Sequence, residues 1–228
     1  GYYFAKELSE RLGITVGIIG CNWGGSSASA WMKREYADGE TAVYFEDYDS
    51  ATAGKSEQQL KQDYLDYQAY HNEWERKSAE YYSNTLNPTW DGCLAYCGEN
   101  KYPGPASPLN PMSPGVLHKS MIERIAPYTM TGVIWYQGES DDHRPGMYYK
   151  LLSQMIRNWR DDWNDDELFF VIGQLPMHRW EADPDFKNWC TIREAQAKTA
   201  RTTAGTALAV LTDCGEFLSL IHISEPTR

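Results

Sequence analysis

Residues 132-GVIWYQ-137, 147-MYYKLLSQMIRNWRDDW-163 and 168-LFFVIGQLP-176 decide the fold. The first and third are short apolar runs with strong β character, and the second reads as a helix between them. A strand, a helix and a second strand in that order imply a parallel pair, because the helix carries the chain back to the starting edge of the sheet. The alternation extends in both directions. A helix is predicted over 116–128, and a helix over 192–203 leads into a strand over 206–213. Near the start, Phe4, Leu8 and Leu12 recur at helical spacing and Gly13 follows as a stop. Next, 14-ITVGIIG-20 has the β-branched, apolar pattern of a strand covered on both faces. The fold class is therefore α/β, a three-layer α/β/α arrangement around a mostly parallel sheet.

Between residues about 34 and 111 the character changes, and this stretch is expected to be a helical insertion outside the sheet. Its segment 57–82 places Leu60, Tyr64, Tyr67 and Trp74 on one stripe among many charges, the mark of a long amphipathic helix. The loop 102-YPGPASPLNPMSPG-115 holds five prolines, which exclude regular structure and fix a path over the surface. The turn 21-CNWGGSSASAWM-32 is expected to enter a helix near Ser27 or Ser29, either of which can cap it. No internal repeat or low-complexity tract is present.

The chain has 228 residues, 42% of them hydrophobic, enough for one domain with a real core. Asp and Glu number 32 against 21 Lys and Arg, a formal charge of -11 that repels phosphate backbones, so nucleic acid is not an expected partner. No apolar run approaches the roughly 18 residues that cross a bilayer, and the first residues lack a basic-then-apolar leader pattern, so no membrane partner is expected. The compartment stays open, leaning to the cytoplasm, with secretion if a leader lies upstream. The five cysteines are an odd number, and the close pair Cys93 and Cys97 lacks a second pair or a His-x3-His, which favours ordinary thiols; no metal is assigned. Nine Trp and sixteen Tyr can line a sugar-binding cleft or fill the core.

In open α/β sheets ligands bind beyond the carboxyl ends of the strands. Three such positions stand out: 20–27, 136–142 and 212–222. The first has the outline of a phosphate loop, Gly20-x4-Gly25-Ser26-Ser27, without the lysine that reaches phosphates. Its Gly24-x-Ser26-x-Ala28 is one residue short of a nucleophile elbow, and capping alone accounts for both serines. Glycines there let backbone N–H groups converge on a ligand oxygen. The second position groups Gln137, Gly138, Glu139, Asp141 and Asp142. That set suits a divalent cation, a carboxylate pair for glycoside hydrolysis, or acyl transfer with an amide in the oxyanion hole, and spacing alone does not choose. His71, His118, His143 and His178 have no motif around them, although His143 and His178 follow strands.

Asn22-Trp23-Gly24-Gly25-Ser26 with Ala30-Trp31-Met32, and Gly132 to Ser140 with its Trp-Tyr-Gln-Gly-Glu-Ser string, closely resemble the sialate O-acetylesterase family of SGNH-type hydrolases. The resemblance continues through Trp159-Arg160, Gly173-Gln174-Leu175-Pro176 and Arg193-Glu194-Ala195-Gln196, and covers residues 1 to about 218. It implies an SGNH-hydrolase-like, flavodoxin-like sheet, and serine esterase chemistry that removes O-acetyl groups from carbohydrates without metal or organic cofactor. The substrate would be acetylated sialic acid or an acetylated polysaccharide. It assigns Gly24 or Gly25 and Gln137 to the oxyanion hole, and Glu139 to the acidic position that orients the histidine.

Two parts of the family pattern are missing. No G-x-S-N motif occurs, so the nucleophilic serine is expected upstream of Gly1. After 211-LTDCGEFL-218 the chain departs from the family, and its last ten residues, 219–228, resemble adapter-derived translated sequence. His222 falls one place late and lacks the expected Asp, so the base is not assigned to it. The expectation is an internal fragment, with a sheet incomplete at both ends and no activity by itself. The alternatives are a non-catalytic carbohydrate-binding module and a glycoside hydrolase using Glu139.

Overall fold

The computed structural model describes residues 1–178, 183 and 185–211. Its centre is the strand–helix–strand unit that the sequence announces. Strands β1 (Gly132–Tyr136), β2 (Phe169–Gly173) and β3 (Thr206–Ala209) form one sheet in the order β1-β2-β3, with both neighbouring pairs parallel. The α/β class with a parallel sheet is as expected. Gly132 lies opposite Phe169 and Tyr136 opposite Gly173, so β1 and β2 end level and Gln137 and Gln174 leave the same edge.

Helices α6 (Tyr148–Trp163) and α7 (Lys187–Thr202) make the two crossovers and pack on each other and on one face of the sheet. Leu151, Leu152, Met155 and Ile156 of α6 are fully buried, and they meet Trp135, Phe170, Ile172, Trp189 and Ile192 in the main core. α6 stops at Asn164, which adopts the left-handed conformation (φ 48°, ψ 45°) that asparagine tolerates better than most residues. Beyond this stop the guanidinium of Arg160 donates to the Leu168 and Ala204 carbonyls, at 3.1 and 2.6 Å, clamping the entries to β2 and β3 together. The opposite face of the sheet carries Ile134, Tyr136 and Phe169, all exposed.

One predicted strand does not form. Residues 14–20 form no strand and no ladder with another segment among the described residues, and Ile14, Ile18 and Ile19 are exposed. β propensity describes how well a side chain fits a pleated, half-buried surface, and no such surface faces this run. The preceding helix α1 (Tyr2–Leu12) forms and ends at Gly13 (φ 64°) as its spacing predicts, although Ala5 is its one buried residue. After Ser26 the chain dives inward. Ser27 caps a single 3-10 turn, Ala28–Trp31, accepting the Ser29 amide at 3.1 Å, where a longer helix was expected.

The segment expected to be an insertion contains the helices α2 (Val43–Thr52), α3 (Glu57–Asn84) and α4 (Trp90–Cys97). Ser56 caps α3 through the Gln59 amide, and Leu60, Tyr64 and Trp74 are buried along the predicted stripe. Trp74 packs with Cys93 and Cys97 in a separate small core, whereas Tyr44 and Phe45 join the main one. The helix expected over 116–128 is a π turn, His118–Ile122, running into the short α5 (Glu123–Ile125). α7 starts before its predicted residue 192 because the Asp183 carboxylate accepts the amides of Asn188 and Trp189, at 3.1 and 2.9 Å. Among the described residues no helix is long and apolar enough to cross a membrane.

Candidate active site

β1 delivers its carboxyl end into a tight turn. Gly138 has φ 150°, and a Cβ there would press on Ile192, Leu175 and Gln196, so the turn needs a glycine. The chain then makes the 3-10 turn Glu139–Asp141, which buries Asp141 completely. The Asp141 carboxylate accepts four hydrogen bonds: from Ser27 Oγ at 2.6 Å, the Ala28 amide at 3.0 Å, Tyr44 Oη at 3.1 Å and Gln137 Nε2 at 2.7 Å. A carboxylate offers about four acceptor positions, so this one is saturated without an ion pair among the described residues. The Tyr44 hydroxyl is pushed well above the ordinary tyrosine range, first by burial and then by this negative charge.

Gln137 is the second tie between the two loops. Its Nε2 donates to Asp141 and to the Ser26 carbonyl at 3.0 Å, while Tyr148 Oη donates to its Oε1 at 3.0 Å. The Gln137 carbonyl accepts from Gln196 Nε2 at 3.0 Å and lies 2.9 Å from Tyr148 Oη, sharing that hydroxyl's single hydrogen with Oε1. Both side-chain amide hydrogens are thus engaged. The structure brings Gln137 together with the turn that holds Gly24 and Gly25. Gly25 has φ 74°, and a Cβ there would collide with the Tyr102 hydroxyl, which donates to the Gly25 carbonyl at 3.1 Å. The amides of Gly24 and Gly25 donate to no partner among the described residues. They are the free donors of this corner.

Ser26 is not arranged as a nucleophile. Its Oγ donates to the Trp23 carbonyl at 2.8 Å and accepts from Trp31 Nε1 at 2.9 Å, and the residue is 3% exposed. Glu139 is half-buried and forms no ion pair among the described residues. Burial raises its carboxyl above the usual range, partly offset by backbone amides at Gly138 and Glu139. Burial, with a smaller effect from Glu139, also pushes the Tyr136 hydroxyl up to about 12. Asp142 is likewise raised by burial, against the opposing pull of His143.

No histidine is hydrogen-bonded to a serine among the described residues. His143 is exposed and meets the Tyr44 ring edge-on at 6.1 Å, and His178 lies against Trp189 at 5.1 Å. His118 is buried in a different place, with Nε2 at 2.6 Å from Asp162, an acid also held by Lys33 and Asn158. His222 and the tail 219–228 lie outside the described residues. Among those residues no cluster of three or more His, Cys, Asp or Glu side chains is placed to hold a metal ion.

Sequence reasoning named Gly24, Gly25, Gln137 and Glu139 but missed Asp141 as the hub, and Tyr148 and Gln196 as the braces of Gln137. An aspartate in a Ser-Asp-Asp turn carries no local signal of burial.

The parallel sheet, with a glutamine and a glycine turn meeting at its carboxyl edge, makes this an α/β protein. Residues 109–217 match the family model for carbohydrate esterase, sialic acid-specific acetylesterase. The structure is similar to the crystal structure of a carbohydrate acetylesterase from Xanthomonas citri, with a TM-score of 0.59 and 24% sequence identity over 96% of this chain. The match covers 35% of that protein, so this chain spans about a third of its length, and at this identity the likeness concerns the fold. No curated protein sequence matches the chain.

Proposed function

We propose that these residues form the oxyanion-binding and substrate-shaping part of a carbohydrate O-acetylesterase, whose nucleophile and base come from outside the described residues. The observation that carries this reading is the junction at Asp141, which holds the Gly24–Gly25 turn against Gln137 and leaves the two glycine amides free. An ester carbonyl that becomes tetrahedral gathers negative charge on oxygen, and each donor preorganised toward it is worth roughly 3 kcal/mol. Gln137 adds a third donor by turning one N–H from the Ser26 carbonyl to that oxygen, while Asp141 keeps the other. In the complete enzyme a histidine takes the serine proton, serine attacks the acetyl carbonyl, the sugar hydroxyl leaves protonated, and water releases acetate from the acyl-enzyme. Glu139, with a half-buried carboxyl at the mouth of the turn, suits the role of orienting that histidine.

The substrate class in this reading is an O-acetylated carbohydrate. The test uses 4-nitrophenyl acetate with the 228-residue chain and with a version extended upstream. The chain alone should hydrolyse the ester at the background rate, and the extended protein above it. In the extended protein Gln137→Ala should lower kcat by about 10²–10³. Hydrolysis by the chain alone that Ser26→Ala abolishes would overturn the reading and make Ser26 the nucleophile.

A further inference from the structure

On α3, Asp63 lies three and four residues before Asp66 and Tyr67, and Tyr70 lies four and three residues after them, so the four share one face of the helix. They form one wall of an open cleft of about 400 Å³, closed on the other side by Lys101, Gly104 and Pro105. The wall is fixed. Tyr67 stacks on His71 with ring centroids 5.3 Å apart and planes 15° from parallel, and Gly104 (φ 79°) approaches its ring so closely that a Cβ would collide. Tyr70 Oη donates to the Glu99 carbonyl at 2.6 Å, and the Lys101 ammonium sits 4.3 Å from the Tyr70 ring centroid. Asp63 is paired with Lys55 at 2.6 Å, whereas Asp66 accepts from Gln62 at 2.8 Å and has no cation beside it among the described residues.

We infer that this cleft is a carbohydrate subsite for an uncharged pyranose ring. The tyrosines lining the cleft offer apolar contact to the C–H groups of a sugar, carboxylates accept its hydroxyl hydrogens, and an ammonium donates to its oxygens. A cleft of this size holds a small sugar. In charge, Lys55 balances Asp63 and Lys101 balances Asp66, so the wall has no surplus cation to hold an anionic sugar, and the chain's net charge of -11 disfavours one. The cleft adjoins the candidate active site through one side chain, because Tyr102, next to Lys101, donates to the Gly25 carbonyl. Resting on the reading that the chain acts on carbohydrate, this points to an oligosaccharide or polysaccharide substrate, one unit held on α3 while an acetylated unit lies at Gly24 and Gly25.

Saturation-transfer NMR on the 228-residue chain tests the inference without requiring ester hydrolysis, so its failure is separate from failure of the esterase reading. The probes are xylotetraose and cellotetraose as neutral sugars and N-acetylneuraminic acid as the anionic one. A neutral tetraose should give transfer, with binding weakened about tenfold by Tyr67→Ala. Asp66→Asn, which leaves ring and helix in place, should weaken it several-fold. Absence of transfer to both neutral sugars, transfer to N-acetylneuraminic acid in their place, or binding unchanged in both variants would overturn it.

Discussion

Residues 14–20 and β1 are nearly interchangeable as sequence, each a short run of β-branched and apolar side chains, yet they end in opposite conditions. β1 has β2 along one edge and the α6–α7 layer on one face, and its Trp135 is buried. The 14–20 run has neither neighbour among the described residues, and its isoleucines face solvent. The difference teaches that a strand is made by its partner: β1 has a backbone ladder, whereas 14–20 has none, only the Ser9 hydroxyl donating to the Ile14 carbonyl at 2.5 Å among the described residues. The boundary is sharp. Ile19 is exposed, but Ala28, Ala30 and Met32 are completely buried. Two carboxylates from the βαβ unit hold the inward part, Asp141 through Ser27 and Ala28, and Asp162 through Lys33.

Removing the first of these anchors should blur the boundary most. Asp141→Ala strands four donors in the interior, and a loss of about 3–5 kcal/mol is expected in urea unfolding. Limited proteolysis should then cut within 22–32 as readily as within 14–20. Cleavage that stays confined to 14–20 would show that packing of Trp31 and Met32 suffices without the carboxylate.

The contrast between the two runs is measured by paired truncations. Ile172→Ala in β2 removes a fully buried side chain from the main core and should cost about 2–5 kcal/mol. Ile18→Ala, at an exposed position, should stay within about 0.5 kcal/mol. Equal losses would mean that 14–20 is packed against something in solution.

The second anchor makes the comparison pH-dependent. Burial pushes the Asp162 carboxyl up, but hydrogen bonds from His118 and Lys33, with their charge, bring it below the ordinary aspartate value. A carboxyl lowered by folding contributes stability that is present above its unfolded pKa, near 3.9, and lost as pH falls through the folded value. Melting temperature against pH should therefore show an acid limb below about pH 4 that flattens in Asp162→Asn. At neutral pH that variant should lose about 1–2 kcal/mol.

How much of this could be read beforehand follows from the range of each interaction. The βαβ unit was legible because its signals lie within a few residues, as was the stripe of α3. The onset of α7 was not, since Asp183, which caps it, stands apart from any helical pattern. Gly24, Gly25, Gln137 and Glu139 were picked out by their place after predicted strands and given roles by family resemblance, and the contacts that bring the glycine turn to Gln137 span more than a hundred residues, Ser26 to Gln137 and Ser27 to Asp141. No periodicity encodes such a pairing. The same holds for His118 and Asp162, two unremarkable polar residues in sequence that form a buried pair.

The smallest expected effect separates two acids at the end of β1. Asp141 is saturated by donors, whereas Glu139 has its carboxyl raised by burial and no charged partner among the described residues. A carboxyl raised by folding binds its proton more tightly in the native state. Its favourable contribution is complete below the unfolded pKa, near 4.3, and is lost as pH rises through the folded value. Glu139→Gln should therefore be slightly more stable than the parent at neutral pH and indistinguishable from it in acid, the difference opening between the two pKa values. Asp141→Asn should be less stable than the parent at neutral pH, because it exchanges two acceptor oxygens for one and forces an NH₂ against Ser27, Ala28, Tyr44 or Gln137. If Glu139→Gln destabilised the protein at neutral pH, the carboxylate would have to be ionised and held by a partner, and Glu139 would join Asp141 as a structural tie. If it is neutral or stabilising while lowering kcat in the extended esterase with KM unchanged, stability is being given up at that position for the orientation of a catalytic histidine.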